Sequence, residues 1–327
     1  MIGHELGQDT AERYRRFAAV EAARRSPLYE ELAAGVADDP ELLAFLGTLP
    51  DEKRQPNLLL AAVRYLSGLH SGYDEFRAAV LDRQADLADV MLARRTQTNE
   101  PARCATLLPA LAALPQPLAL LEVGASAGLC LLPDRYGYDY GTHRIDGEPG
   151  SPVFPCELRG PVPAPERHPQ VTWRAGIDLN PLNVADDDDV RWLSCLVWPG
   201  EGDRAELLAA AIEVARRDPP RLERGDLVDE LTQTAASAPP DATLVVFHSA
   251  VLAYLTAERR AEFAEAVRGL KATWLSNEAP RVLSGLPGFP RDLPPAGLAS
   301  APFLLIRDAR DPLAYVDSHG TWLRWLG

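Results

Sequence analysis

The stretch LALLEVGASAGLCL, residues 118–131, decides how this chain reads: an apolar run of β type ends in Glu122, and Gly124-Ala125-Ser126-Ala127-Gly128 forms a turn of small residues. The two glycines tolerate positive φ and leave no side chain between the backbone and whatever approaches it. Feeding a helix over 128–135, such a turn offers backbone N–H donors to a polar or anionic ligand. A tight strand-to-helix turn that binds nothing has the same composition. The spelling also fits G-x-S-x-G, the turn that presents the nucleophile of serine hydrolases, with Ser126 as nucleophile and His248 or His319 as base. No HGGG-type oxyanion loop precedes it, so hydrolysis is the secondary reading.

Upstream, residues 10–36, 40–48, 56–70 and 73–94 carry apolar positions at helical spacing, with Pro or Gly at their ends. Residues 1–115 are therefore expected to form a helical N-terminal module. Its tail runs into Pro115-Gln116-Pro117, a hinge before the sheet. The module either covers a cleft or serves as a packing cap, and the polar run Arg94 to Glu100 suits a cleft wall or a solvated helix end.

Downstream, short β-type runs alternate with helices, which predicts an α/β doubly wound sheet over 116–327. Strands are expected near 118–123, 171–178, 220–224, 243–247, 272–276, 302–307 and 313–317. Helices are expected over 128–135, 187–197, 203–217, 227–236 and 257–269. Residues 136–170, rich in Pro, Gly and Tyr, read as an insertion with a hairpin, and Pro280 to Pro302 as a long loop able to cover a site.

Composition narrows the function classes. The chain has 327 residues, 46% hydrophobic and 24% charged, as expected of a globular chain with a large core. A net charge of −14 disfavours a broad nucleic-acid-binding face, which needs clustered Lys and Arg. Cys104, Cys130, Cys156 and Cys195 show no C-x-x-C or zinc-type spacing and read as reduced structural thiols. Asp186-Asp187-Asp188-Asp189 reads as a helix start favoured by the dipole, without EF-hand spacing, and no metal is expected. The start lacks an apolar signal region and no apolar run approaches the roughly 18 to 20 residues that span a bilayer, so the expected location is cytoplasmic, without membrane contact.

With GASAG after a strand, Gly176-Ile177-Asp178-Leu179-Asn180-Pro181 ending a second, and Arg224-Gly225-Asp226 after a third, the chain resembles class I S-adenosylmethionine-dependent methyltransferases. More closely, LLEVGASAGL, GIDLNP, the segment Arg191 to Gly200 and His319-Gly320-Thr321-Trp322-Leu323 are similar to the uncharacterised bacterial family DUF2332. The methyltransferase resemblance implies a Rossmann-like sheet behind the helical module, and S-adenosylmethionine as cofactor. Glu122, Gly124, Ala125, Ser126 and Gly128 would then surround its methionine part. Asp178 would receive the ribose hydroxyls, since one carboxylate accepts from both, and Asp226 would meet the adenine amino group. Two departures stand out: Ser126 occupies the place of the usual middle glycine, and Asp178 follows the loop by more than the usual spacing. If the insertion hides the true second strand, Asp139 or Asp146 takes the ribose instead.

The strand Thr243 to Phe247 delivers His248 to the sheet's carboxyl edge, where it is the candidate acid/base, with Glu278 from the next strand orienting substrate or assisting it. A capping histidine and a solvated strand end are the alternatives. The expected activity is methyl transfer to an O or N nucleophile of a small molecule. A cofactor-binding protein of the same fold without catalysis, and a serine hydrolase, are the competing readings.

Overall fold

The computed structural model describes residues 2–23, 25–97, 99–163, 165–294 and 302–326, with side chains from residue 9 onward. Contacts divide it into two compact units, Met1–Thr98 with Asp186–Glu206, and Asn99–Ala185 with Leu207–Gly327.

The first unit is helical: α1 (Ile2–Arg16) runs into a π-helical turn (Phe17–Ala22), followed by α2 (Pro27–Asp38), α3 (Pro40–Gly47), α4 (Pro56–Ser67), α5 (Tyr73–Asp82) and α6 (Gln84–Ala93). Three of these helices start on proline, whose fixed φ suits the first turn and whose missing N–H is not needed there. The Asp39 carboxylate accepts from Glu41 N (2.8 Å) and Leu42 N (3.1 Å), capping α3. The acidic run 186–189 starts the helix Asp187–Leu196: Asp186 Oδ1 accepts from Asp188 N at 2.8 Å, and Arg94 pairs with Asp188 and Asp189. Trp198 belongs to this unit, edge-on to Phe17 at 5.2 Å and under the Arg25 guanidinium at 4.5 Å.

The second unit opens with α7 (Arg103–Ala112), which the sequence placed in the N-terminal module. Its strands are β1 (Leu118–Val123), β2 (Gly137–Asp139), β3 (Arg144–Ile145), β4 (Val153–Pro155), β5 (Glu157–Leu158), β6 (Val171–Asp178), β7 (Arg221–Arg224), β8 (Thr243–Ser249), β9 (Thr273–Glu278), β10 (Phe303–Arg307), β11 (Asp311–Val316) and β12 (Trp322–Trp325). Nine of them form one sheet in the order β5-β12-β11-β10-β9-β8-β1-β6-β7. β1 is parallel to both β6 and β8, and all six of its residues are buried, which is why its sequence is continuously apolar up to Glu122.

The α/β class holds, and the sheet is mixed. Five strands, β7-β6-β1-β8-β9, are parallel; β10, β11 and β12 add an antiparallel meander, and β12 pairs in parallel with β5 from the 136–170 segment. That segment holds a small sheet β3-β2-β4 rather than one hairpin. The expected helix over 128–135 is absent: only a 3₁₀ turn, Leu129–Leu131, follows the glycines. Pro133 removes a helical N–H, and the Tyr136 hydroxyl donates to the Leu129 carbonyl at 2.8 Å, taking an acceptor that a helix uses internally. Pro280–Leu283 is a short helix inside the expected Pro-rich loop, and residues 295–301 of that loop lie outside the described residues.

Candidate functional site

Strand order first increases on one side of β1 and then on the other, so the carboxyl ends of β1 and β8 are the place where sheets of this kind hold ligands. Both strands end there in a strained turn. Ser126, after β1, has φ +51°, and Ala250, after β8, has φ +60°. A non-glycine residue in this region costs about 1–2 kcal/mol, and such residues gather at functional sites.

The small-residue loop is held by the protein itself. Gly124 N and Ala125 N donate to the Ile177 carbonyl at 2.8 and 3.2 Å, Ser126 N to Asp178 Oδ2 at 2.8 Å, and Gly128 N to the Ala125 carbonyl at 2.7 Å. These N–H groups are thus spent, which corrects the expectation that they cradle an anion. Gly124 (φ +69°) is required by its neighbour: a Cβ there meets Val251 Cγ2 at 2.4 Å. Ala125, fully buried, accepts the Asn99 Nδ2 hydrogen bond on its carbonyl at 2.9 Å. Gly128 (φ +73°) lies against Pro220.

Asp178 is beside this loop, as expected from the sequence, but its carboxylate is engaged: Oδ2 takes Ser126 N and Oδ1 takes Asn180 N at 2.7 Å. Asp139 and Asp146 lie on the small separate sheet, where they bond Gly141 N and Arg144. Asp226 caps Val228 N at 2.8 Å and forms an ion pair with Arg259.

His248 and Glu278 meet, facing inward. His248 is fully buried, with Nδ1 2.9 Å from Glu278 Oε1 and Nε2 near Trp274 Nε1 (3.1 Å) and Ser276 Oγ (2.9 Å). The indole N–H can only donate, so Nε2 accepts and Nδ1 carries the proton given to Glu278. Glu278 Oε1 also accepts from Val251 N at 2.7 Å and Leu252 N at 2.9 Å. Both ring nitrogens of His248 are thus engaged by protein groups, and through Glu278 the pair holds the Val251 turn.

Other side chains of this edge lack partners. Asn99 Oδ1, Glu122 Oε2, Ser126 Oγ and Asn277 Oδ1 are buried without a hydrogen bond. Asn99 cannot be turned round, because its other amide atom faces a carbonyl and must be the donor. Burial pushes the Glu122 carboxyl well above the usual range, the nearby Asp178 and Cys130 adding to the effect and the Arg103 guanidinium opposing it. Unsatisfied buried acceptors cost about 1–3 kcal/mol each, so a concentration of them marks a place where a donor-bearing ligand is expected. Sequence reading found Glu122 and Ser126 and placed Asn277 on this edge with Glu278, but missed Arg103, whose signal was a lone cation opening the otherwise apolar α7.

His319, the other base considered for Ser126, has Nδ1 3.3 Å from Glu100 Oε2. Gly320 (φ +83°) lies on the backbone of Ala102, where a Cβ meets the carbonyl oxygen at 2.2 Å, so this glycine follows from close packing on the start of α7. Among the described residues no group of three or more His, Cys, Asp or Glu is arranged to hold a metal ion. No helix among them is long and apolar enough to cross a membrane.

Residues 11–325 match a family described as an uncharacterized protein conserved in bacteria (DUF2332), and the chain belongs to that family. Neither the curated proteins nor the solved structures contain a match.

Proposed function

We propose that this member of the family binds S-adenosylmethionine at the carboxyl edge of β6, β1 and β8 and transfers its methyl group to an O or N nucleophile of a small molecule. The observation that carries this reading is the set of unpartnered buried acceptors there, Asn99 Oδ1, Glu122 Oε2 and Ser126 Oγ. The parallel order β7-β6-β1-β8-β9 supports it as the Rossmann-like half of a methyltransferase-type sheet, with a different, antiparallel completion. The donor set fits the group: ammonium and hydroxyl donors of the cofactor would meet the acceptor oxygens of Asn99, Glu122 and Ser126.

When bound, S-adenosylmethionine supplies an electrophilic methyl on a cationic sulfur. The chain's task is then alignment and exclusion of water, which alone lower such barriers substantially. Glu122, Ser126 and Asn99 hold donor groups. Asp178 fixes the loop on which Ser126 stands and is the residue that would take the ribose hydroxyls. His248 and Glu278 act at one remove by setting Val251 against Gly124.

The enclosure of His248 favours a second reading, a cofactor-binding protein without turnover. Calorimetric titration with S-adenosylmethionine and S-adenosylhomocysteine tests the site: saturable binding, weakened at least about tenfold in Glu122→Ala, is the expected result, given the usual worth of a hydrogen bond to a charged group. Folded wild-type protein that binds neither compound overturns the cofactor assignment. Binding without methyl transfer to any of a panel of amines and alcohols selects the second reading.

A further inference from the structure

Arg103 is a buried cation that forms no ion pair with any described residue. It is only 5% exposed, its Nε donates to the Ser318 carbonyl at 2.7 Å and its Nη1 to the Ser249 carbonyl at 3.2 Å. Nη2 has no hydrogen bond and the guanidinium no ion pair with any described residue. Two carbonyl dipoles orient a guanidinium but leave its charge uncompensated, and buried charges are nearly always paired.

The position makes the absence harder to explain by stability. Arg103 is the first residue of α7, the end of a helix where a cation is unfavourable. The Glu122 carboxyl feels the guanidinium, but burial pushes it toward its neutral form. The two carbonyls it holds belong to Ser249, the last residue of β8 and next to strained Ala250, and to Ser318, in the turn before Gly320. Arg103 is thereby aimed at the same carboxyl edge as the unpartnered acceptors.

We propose that Arg103 anchors a carboxylate of the ligand bound at this edge, and that Glu122 Oε2 accepts from a cationic N–H of the same ligand, so that the site takes an α-amino-acid group. A planar guanidinium with a free nitrogen suits a carboxylate, and charge-assisted bonds of this type are the strong ones. The inference deepens the cofactor reading and rests on it for the source of the group. The carboxylate is supplied either by the amino-acid end of the cofactor or by an amino-acid acceptor.

The test titrates full-length protein with two pairs of probes that differ in the group concerned: S-adenosylhomocysteine against 5′-methylthioadenosine, which keeps the nucleoside and lacks the amino-acid end, and L-alanine against ethylamine. The expected result is that one carboxylate-bearing probe binds at least about tenfold tighter than its partner, that Arg103→Gln abolishes this preference, and that Arg103→Lys keeps part of it. A preference within the first pair assigns the cofactor end, and one within the second pair alone assigns the acceptor. Loss of all nucleoside binding with the alanine preference intact removes the cofactor reading and keeps the anchor. Equal affinities within both pairs overturn the anchor while nucleoside binding stands. Should Arg103→Gln fail to fold, the wild-type preferences and Arg103→Lys still decide.

Discussion

Asp178 holds Ser126 from the neighbouring strand: its Oδ2 accepts the Ser126 N–H at 2.8 Å while Oδ1 takes Asn180 N at 2.7 Å, so one carboxylate closes the loops after β6 and after β1. The acid is thus needed for the turn before any ligand arrives. Asp178→Ala is expected to lower stability by about 2 kcal/mol in ligand-free protein, and Asp178→Asn, which keeps one acceptor oxygen, by about half as much, read from urea midpoints. Unchanged midpoints, with ligand binding alone affected, reject the structural role.

His248→Ala removes a fully buried ring and takes the imidazole donor from Glu278, which keeps the Val251 and Leu252 N–H groups. Destabilisation of about 2–4 kcal/mol is expected. Because His248 is enclosed, Ser276→Ala, which deletes only a partner of Nε2, is expected to change ligand affinity less than twofold. A tenfold fall in affinity with intact stability restores His248 to the ligand.

Gly124→Ala meets two obstacles, a positive φ and the methyls of Val251. A loss of about 2–4 kcal/mol is expected. Adding Val251→Ala removes both close methyls and is expected to restore about 1 kcal/mol, a non-additivity that a double-mutant cycle measures. Additive effects count against the contact.

The Glu122 carboxyl titrates above its ordinary range in the folded protein because burial disfavours the charged form. Folding then favours the protonated acid: its contribution is fully present below the unfolded-state value and is lost as pH rises toward the folded one. Glu122→Gln is therefore expected to match wild type at acid pH and to become the more stable protein as pH rises past the ordinary glutamate range. Thermal midpoints measured across that range check the sign, and a gap that narrows with rising pH contradicts it.

Ser126 Oγ has no hydrogen-bond partner, so no base is positioned to activate it despite the G-x-S-x-G spelling and positive φ. A fluorophosphonate probe is expected to leave the protein unlabelled. Labelling that disappears in Ser126→Ala would reinstate the hydrolase reading.

The parallel half of the sheet was legible because β1 is buried on both sides and its sequence is apolar without alternation. Strands β1 and β6 fall where the periodicity put them. β5 and β12 were not foreseen: β5 has two residues and β12 four, and they pair with each other across a long stretch of sequence. The glycines were read correctly as places for close approach, but sequence does not say what approaches, and at Gly124 it is Val251. His248 was placed on the right strand end. Its direction depended on Trp274 and Ser276, whose strand alternation allowed either face. Arg103 was hidden because a cation at a helix start looks like an ordinary surface residue until burial is known.

The pairing of β12 with β5, Glu157 N on the Thr321 carbonyl and Arg159 N on that of Leu323, sets an order of assembly. Ribosomes release Glu157 long before Trp322, so on a nascent chain β5 waits unpaired, its amides open to wrong partners, until β12 emerges. Loop closure between such distant segments is slow, so this edge of the sheet is expected to be completed late in folding.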